Sequence, residues 1–291
     1  MSVSAADRRI RGLRPPKPQV DPYVAHGTVV EEERRPDGRI ERALTVFLAG
    51  AECPFTCSFC DLWRYTIDGP TPAGALVTQL ERVLADVAEP PPERLKLYTA
   101  SNFFDKRAVP PDDLPALARL AEPFASVTVE SHASTIGPGV AAFARMLCGR
   151  LEVAMGLETI HPVAAERLNK RLTLARFDRA AESLAADGID VRAFVLLGAP
   201  HVAPEESVEW TVRTVVHAAA GEFTAPTLTQ LEDALDGCAH ITGTVVTADS
   251  WDLEQFARCE GCLRARTARL CRINVSGRAE PRVTCEMCGG R

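Results

Sequence analysis

The run Ala43-Leu-Thr-Val-Phe-Leu-Ala49, followed three residues later by Cys53-Pro-Phe-Thr-Cys57-Ser-Phe-Cys60, decides how the rest of the chain is read. The first part is apolar, rich in β-formers and too short for a helix, as expected of a strand buried on both faces. The cysteine loop then lies at that strand's C-terminal end, where α/β barrels carry their chemistry. Three thiolates at x3 and x2 spacing can converge on one metal centre. A structural zinc closes with four ligands, and a [4Fe–4S] cluster ordinarily takes four cysteines. Three therefore leave one position open. A three-cysteine zinc site completed by a distant ligand such as His26 is the alternative.

Outward from that stretch the chain alternates. Thr71–Pro72 opens a helix that runs to about Val87, with Thr71 as N-cap and Pro72 at the first position. Strands are expected at Leu95–Thr99, Ser126–Glu130, Leu151–Leu157 and Val191–Leu197. Between and after them come helices at Asp112–Glu122, Gly139–Cys148, Thr173–Asp187 and Pro204–Ala220, the third capped by Thr173 and stopped by Gly188. Strands alternating with helices imply right-handed βαβ units and a parallel sheet. After Ala220 the alternation falters: another helical segment, Thr227–Cys238, follows directly, and Ile241–Val246 is the only candidate for a sixth strand. The expected fold is α/β, a partial parallel (β/α)6-type TIM barrel that lacks one strand unless Ile241–Val246 supplies it. Residues 1–42, polar and Pro-punctuated without period, read as an N-terminal extension, 43–246 as the core, and 247–291 as a Cys-rich basic tail.

The 291 residues, 46% hydrophobic and 25% charged, can bury a core without disulfide staples. Met1–Val20 is Arg- and Pro-rich with no apolar stretch, so neither signal peptide nor membrane anchor is expected there. A soluble, cytoplasmic protein is the expectation. In that compartment the clustered cysteines, eight of the ten, read as metal ligands rather than a disulfide framework, and only Cys148 and Cys238 stand alone. Net charge is −6, yet Phe256–Arg291 holds eight Arg against three Glu, leaving −11 on the rest. Such a tail suits nucleic acid, and a merely solvated tail explains it equally well.

The CxxxCxΦC pattern, with Phe59 before the last cysteine, resembles the signature of the radical S-adenosylmethionine superfamily. Tyr98–Asp105, Val129-Glu130-Ser131, Val153–Thr159, Leu168-Asn-Lys170 and Arg192–Gly198 are similar to one branch of it. That branch contains the archaeosine-biosynthesis enzymes and, more distantly, the elongator catalytic subunit. The resemblance implies a [4Fe–4S] cluster on Cys53, Cys57 and Cys60, with S-adenosylmethionine chelating the open iron. An electron donor would then drive its cleavage to methionine and a 5′-deoxyadenosyl radical, the cofactors carrying the hard chemistry. It further implies that Thr99, Ser101 and Asn102 cradle the methionine amino group. Glu130, Ser131 and Glu158 fall where ribose hydroxyls or ammonium bind, Arg192 where the carboxylate pairs, and Gly198 where backbone passes adenine. The chain departs from the branch at Gly198-Ala-Pro-His201, and it carries Ala100-Ser101 where a glycine pair is commoner. The expected substrate is an RNA, a tRNA nucleobase above all.

Cys259-Glu-Gly-Cys262 and Cys285-Glu-Met-Cys288 form two CxxC knuckles. Together they suit a zinc ribbon; an auxiliary Fe–S cluster recruiting Cys271 is the other metal option. Against an active radical enzyme stand two alternatives, a non-catalytic Fe–S protein and a zinc-dependent RNA-binding protein. His132 stands out among the histidines because it follows Glu130-Ser131 at the expected mouth.

Overall fold

The computed structural model describes residues 4–34, 40–218, 271–276 and 282–285. In order these form α1 (Ala5–Gly12), β1 (Gly27–Arg34), β2 (Ile40–Phe47), α2 (Ala75–Ala85), β3 (Arg94–Tyr98), α3 (Leu114–Leu120), β4 (Ser126–Glu130) and α4 (Pro138–Met146). They continue with β5 (Arg150–Glu158), α5 (Pro162–Arg167), α6 (Leu174–Ala186), β6 (Asp190–Leu197), α7 (Ser207–Ala218), β7 (Cys271–Ser276) and β8 (Arg282–Cys285). The strands lie in one sheet in chain order. β2 to β6 run parallel, as their alternation with helices requires, β1 and β7 flank them antiparallel, and β8 pairs antiparallel with β7.

Successive residues of these strands point to opposite faces, and the two faces differ sharply in chemistry. Leu95, Leu97, Val127, Val129, Leu151 and Val153 pack against Leu76 and Leu80 of α2, Leu117 of α3, Phe143 of α4 and Phe177 and Leu184 of α6. This layer is the core. The other face carries Lys96, Thr128, Glu152 and Arg192, all buried. Arg94 binds Glu41 at 2.5 Å and Glu152 at 2.7 Å, and Arg192 binds Glu152 at 2.8 Å. Lys96 holds Glu31 and Glu33 of β1 at 2.8 and 2.5 Å, and Arg192 also reaches Glu33, at 3.2 Å. In a flat sheet β1 and β6 would stand five strand spacings apart, about 24 Å. The sheet therefore curls until β1 and β6 share one buried ion network.

Three differences from the sequence expectation have physical causes. Residues 1–42 contain α1 and β1 rather than irregular chain. The inward-facing residues of β1 are Glu31 and Glu33, so the strand has no apolar alternation to betray it. Thr71 does not cap α2, which begins after Gly74. Its hydroxyl instead accepts from the Ala51 N–H at 2.8 Å and donates to the Ala108 carbonyl at 2.7 Å. Thirdly, antiparallel β7 pairs with β6 where a sixth parallel strand was expected. Ile241–Val246 and Thr227–Cys238 lie outside the described residues. Among those residues no pairing joins β8 to β1.

Candidate metal and cofactor site

The cysteine loop leaves the C-terminal end of β2, and all three cysteines are half-buried. Burial pushes the Cys57 thiol well up from its ordinary pKa, with the Lys170 ammonium pulling it part of the way back. Burial raises Cys53 likewise, opposed by hydrogen bonds from the Phe55 backbone and Asn102. As metal ligands both would give up those protons. Among the described residues no three His, Cys, Asp or Glu side chains close around a single ion. A four-iron cluster takes each thiolate on a different iron and needs no such closure.

The loop is fixed from two sides. Asn169, at φ 52° in the left-handed region, donates to the Thr56 carbonyl and hydroxyl, both at 2.9 Å. Asp7 of α1 accepts from Thr56 at 2.5 Å and from Asn169 at 3.1 Å, and it pairs with Arg171. The Thr56 hydroxyl and the Ser4 backbone N–H hold the Asp7 carboxyl far below the usual carboxylate range. Ser58 N–H donates to the Leu168 carbonyl at 2.9 Å. Phe59, 5% exposed, packs with Ala164, Leu168, Leu196 and Val202 into an apolar wall against which Cys57 and Cys60 lie.

The ends of β3 and β5 face the same region. Asn102 Nδ2 donates to Cys53 Sγ at 3.3 Å. The neighbouring Thr99 Oγ1 and Ser101 Oγ, and Glu158 Oε2 at the end of β5, are buried and make no hydrogen bond among the described residues. Leaving such an atom unsatisfied costs about 1–3 kcal/mol, and an unseen ligand is one reason a fold tolerates it. Ala100, between Thr99 and Ser101, has φ 55°, and Glu158 has φ 68°. Left-handed backbone at a residue other than glycine stores strain of order 1 kcal/mol, which concentrates at functional sites. Orphaned atoms and strain coincide at both strand ends. The residues present thus fit a polar group bound beside the cysteine loop.

Glu158 Oε1 accepts from Lys170 Nζ at 2.5 Å, and that ammonium stands 5.9 Å from the Phe59 ring centre. His132 stacks on Phe55 with ring centres 4.0 Å apart. Burial and Lys170 hold its pKa down at about 3, so the ring is neutral.

Not every expected residue joins this group. Ser131 Oγ is engaged with Thr135 Oγ1 at 2.7 Å and accepts from the Phe104 N–H at 3.3 Å. Glu130 ends β4, its carbonyl accepting from Phe103 N–H at 2.9 Å. Arg192 sits near the start of β6, committed to Glu152 and Glu33. Gly198 follows β6 with φ 72°, backbone that glycine adopts freely. His26 meets the Tyr65 carbonyl at 2.6 Å rather than the cysteines. Cys285 ends β8, and Cys259, Cys262 and Cys288 lie outside the described residues. Sequence reasoning missed Asp7 altogether. Its one signal was the capping box with Ser4, whose hydroxyl accepts from the Asp7 N–H at 3.1 Å.

The chain is similar to a curated archaeal protein. Archaeosine synthase subunit beta of Methanosarcina acetivorans is 25% identical over 188 residues, covering 61% of this chain and 54% of the relative. The chain thus spans about half the length of that relative. No family model matches the chain. Among the described residues no helix is long and apolar enough to cross a membrane.

Proposed function

We propose that this chain is a radical S-adenosylmethionine enzyme that modifies a tRNA nucleobase, with the curled sheet serving as a partial barrel around its site. The observation that carries this reading is the coincidence of a three-cysteine loop with the orphaned atoms of Thr99, Ser101 and Glu158. Cys53, Cys57 and Cys60 would hold a [4Fe–4S] cluster, and the polar strand ends would receive S-adenosylmethionine. When bound, these groups supply a one-electron cleavage that yields methionine and a 5′-deoxyadenosyl radical. The chain's own part is to bind, orient and exclude water. Thr99 and Ser101 offer hydroxyls to the ligand, Glu158 Oε2 accepts from its hydroxyl or ammonium groups, and the Phe59 wall keeps the sulfurs dry. An external electron donor completes the system. The tRNA assignment is supported by similarity to a protein named for archaeosine synthesis. It is supported too by the Arg-rich tail, whose two CxxC knuckles we assign to zinc or to an auxiliary Fe–S cluster.

Anaerobic reconstitution with iron and sulfide, a zinc and iron analysis, and an assay for 5′-deoxyadenosine test the proposal together. The expected result is about four irons on the three-cysteine loop, with 5′-deoxyadenosine formed by the wild type and abolished in Cys57→Ala. A variant that still produces it removes the cysteine loop from the reaction. One observation favours a second reading, a cluster protein without turnover: antiparallel β7 occupies the place beside β6 of a sixth parallel strand. Cluster uptake with no 5′-deoxyadenosine under reductant would select it. Zinc without iron, and RNA binding that falls steeply with salt, would select a zinc-dependent RNA-binding protein instead.

A further inference from the structure

Asn102 follows β3 and is 4% exposed. An amide's oxygen and nitrogen are told apart only by their partners. Here the partners decide. One end of the amide faces the His132 backbone N–H at 2.7 Å. That group can only donate, so the atom facing it is Oδ1, the acceptor. The NH2 must then face Cys53 Sγ, 3.3 Å away. The acceptor end is rigidly held, because His132 is stacked on Phe55 and its Nε2 meets the Lys170 carbonyl at 3.1 Å. His132 Nδ1 accepts from the Ser134 N–H, also at 3.1 Å. One N–H and one Oδ1 lone pair are thereby committed to Cys53 and His132, and one of each remains on the amide.

We infer that Asn102 is a positioning residue that donates an N–H···S hydrogen bond to the Cys53 thiolate and thereby sets the reduction potential of the cluster. The inference rests on the proposed cluster. A hydrogen bond to a thiolate draws electron density from sulfur and favours the more negative, reduced cluster, which raises its potential. Asn102→Asp keeps the acceptor for His132 at nearly the same volume and removes the donor to sulfur. Asn102→Leu removes both. Thr99, Ser101 and Glu158 are left in place by either change, and a potential read without S-adenosylmethionine is independent of ligand recognition.

The test is an EPR-monitored redox titration of the reconstituted full chain, without S-adenosylmethionine. We expect both variants to load iron and sulfide as the wild type does. Their reduction should be about tenfold less favourable, a fall of about 59 mV for one electron. A second measurement stands apart from the variants. Reduced wild type labelled with 15N-asparagine should show nitrogen hyperfine coupling to the cluster, and Asn102→Asp should lose it. A loaded wild type with no such coupling, or loaded variants with an unchanged potential, overturns the role of Asn102 while leaving the cluster intact. A wild type that takes up no cluster overturns the proposed function and this inference with it.

Discussion

Arg192, near the start of β6, donates through Nη2 to Glu33 of β1 at 3.2 Å, across a sheet in which four strands separate them. The contact is possible only because the sheet curls, and it joins the first strand to the last parallel one. Burial alone would raise the Glu33 pKa. The Arg192 and Lys96 charges outweigh it and hold the carboxyl at about 2, below its ordinary 4.5. A carboxyl depressed on folding stabilises the native state above its unfolded pKa, and that contribution fades as pH falls through the folded one. The window therefore runs from about pH 4.5 down to about 2, and the contribution is on the order of 3 kcal/mol. Glu33→Gln should flatten the pH dependence of the denaturation midpoint across that window. At neutral pH it should cost about 3 kcal/mol, because it takes a carboxylate from the buried Lys96 and Arg192, which keep Glu31 and Glu152. A variant as acid-sensitive as the wild type would detach Glu33 from the network.

Among the described glycines, Gly149 is the one whose missing side chain would meet close backbone. A Cβ there would lie 2.5 Å from the Phe124 carbonyl oxygen and 2.8 Å from the Ala125 carbonyl carbon. Gly149→Ala must shift that backbone, and such overpacking costs about 1–3 kcal/mol. Gly139, exposed in the first turn of α4, has nothing within 4 Å of the same added atom. Gly139→Ala should be neutral or stabilising by about 0.5 kcal/mol. Urea denaturation midpoints of the two variants, moving in opposite directions, check the pair. Equal shifts would show that the Phe124–Ala125 backbone does not constrain Gly149.

How much of this was legible in the sequence follows from which face each strand turns to the helices. Leu95 and Leu97, or Val127 and Val129, signal strands directly because burial on the helical side demands apolar side chains. β1 was invisible because its inward residues, Glu31 and Glu33, are carboxylates neutralised by partners on β3 and β6. No local pattern records a partner that distant. The same holds for Arg192. The motif resemblance placed it at the ligand, whereas the network draws it to the opposite end of its strand. At the candidate site the cysteine spacing was readable from one loop. The clamp on that loop was not, since Asp7 and Asn169 stand 162 positions apart. Thr71 shows a third case, in which a residue suited to capping a helix serves two loop backbones instead.

Asp7 ties α1 to the cysteine loop through Thr56 and to the turn beyond α5 through Asn169 and Arg171. Hydrogen bonds to a charged group contribute about 1.5–3 kcal/mol, equivalent to tenfold or more in a local opening equilibrium. Asp7→Asn keeps the shape and removes the charge. Hydrogen exchange at Ala5–Gly12 and at residues 53–60 should then quicken by about tenfold or more, while β4 and β5 stay protected. Unchanged exchange in the cysteine loop would leave α1 as an appendage with no hold on the site.

Thr99 provides the sharpest separation of stability from function. Its hydroxyl is fully buried and makes no hydrogen bond among the described residues. If that atom exists for a ligand, it is a liability in the free protein, because its lost hydration is uncompensated. Thr99→Val keeps the shape and β-branching and deletes only the orphan. The free protein should gain about 1 kcal/mol in denaturant stability. S-adenosylmethionine affinity of the cluster-loaded protein, read by equilibrium binding, should fall by about tenfold, the equivalent of one hydrogen bond. Ser101→Ala should show the same opposed pair of effects, since Ser101 Oγ is likewise orphaned. A variant that gains stability and binds S-adenosylmethionine as tightly as the wild type would mean that the orphaned hydroxyl faces something other than that ligand.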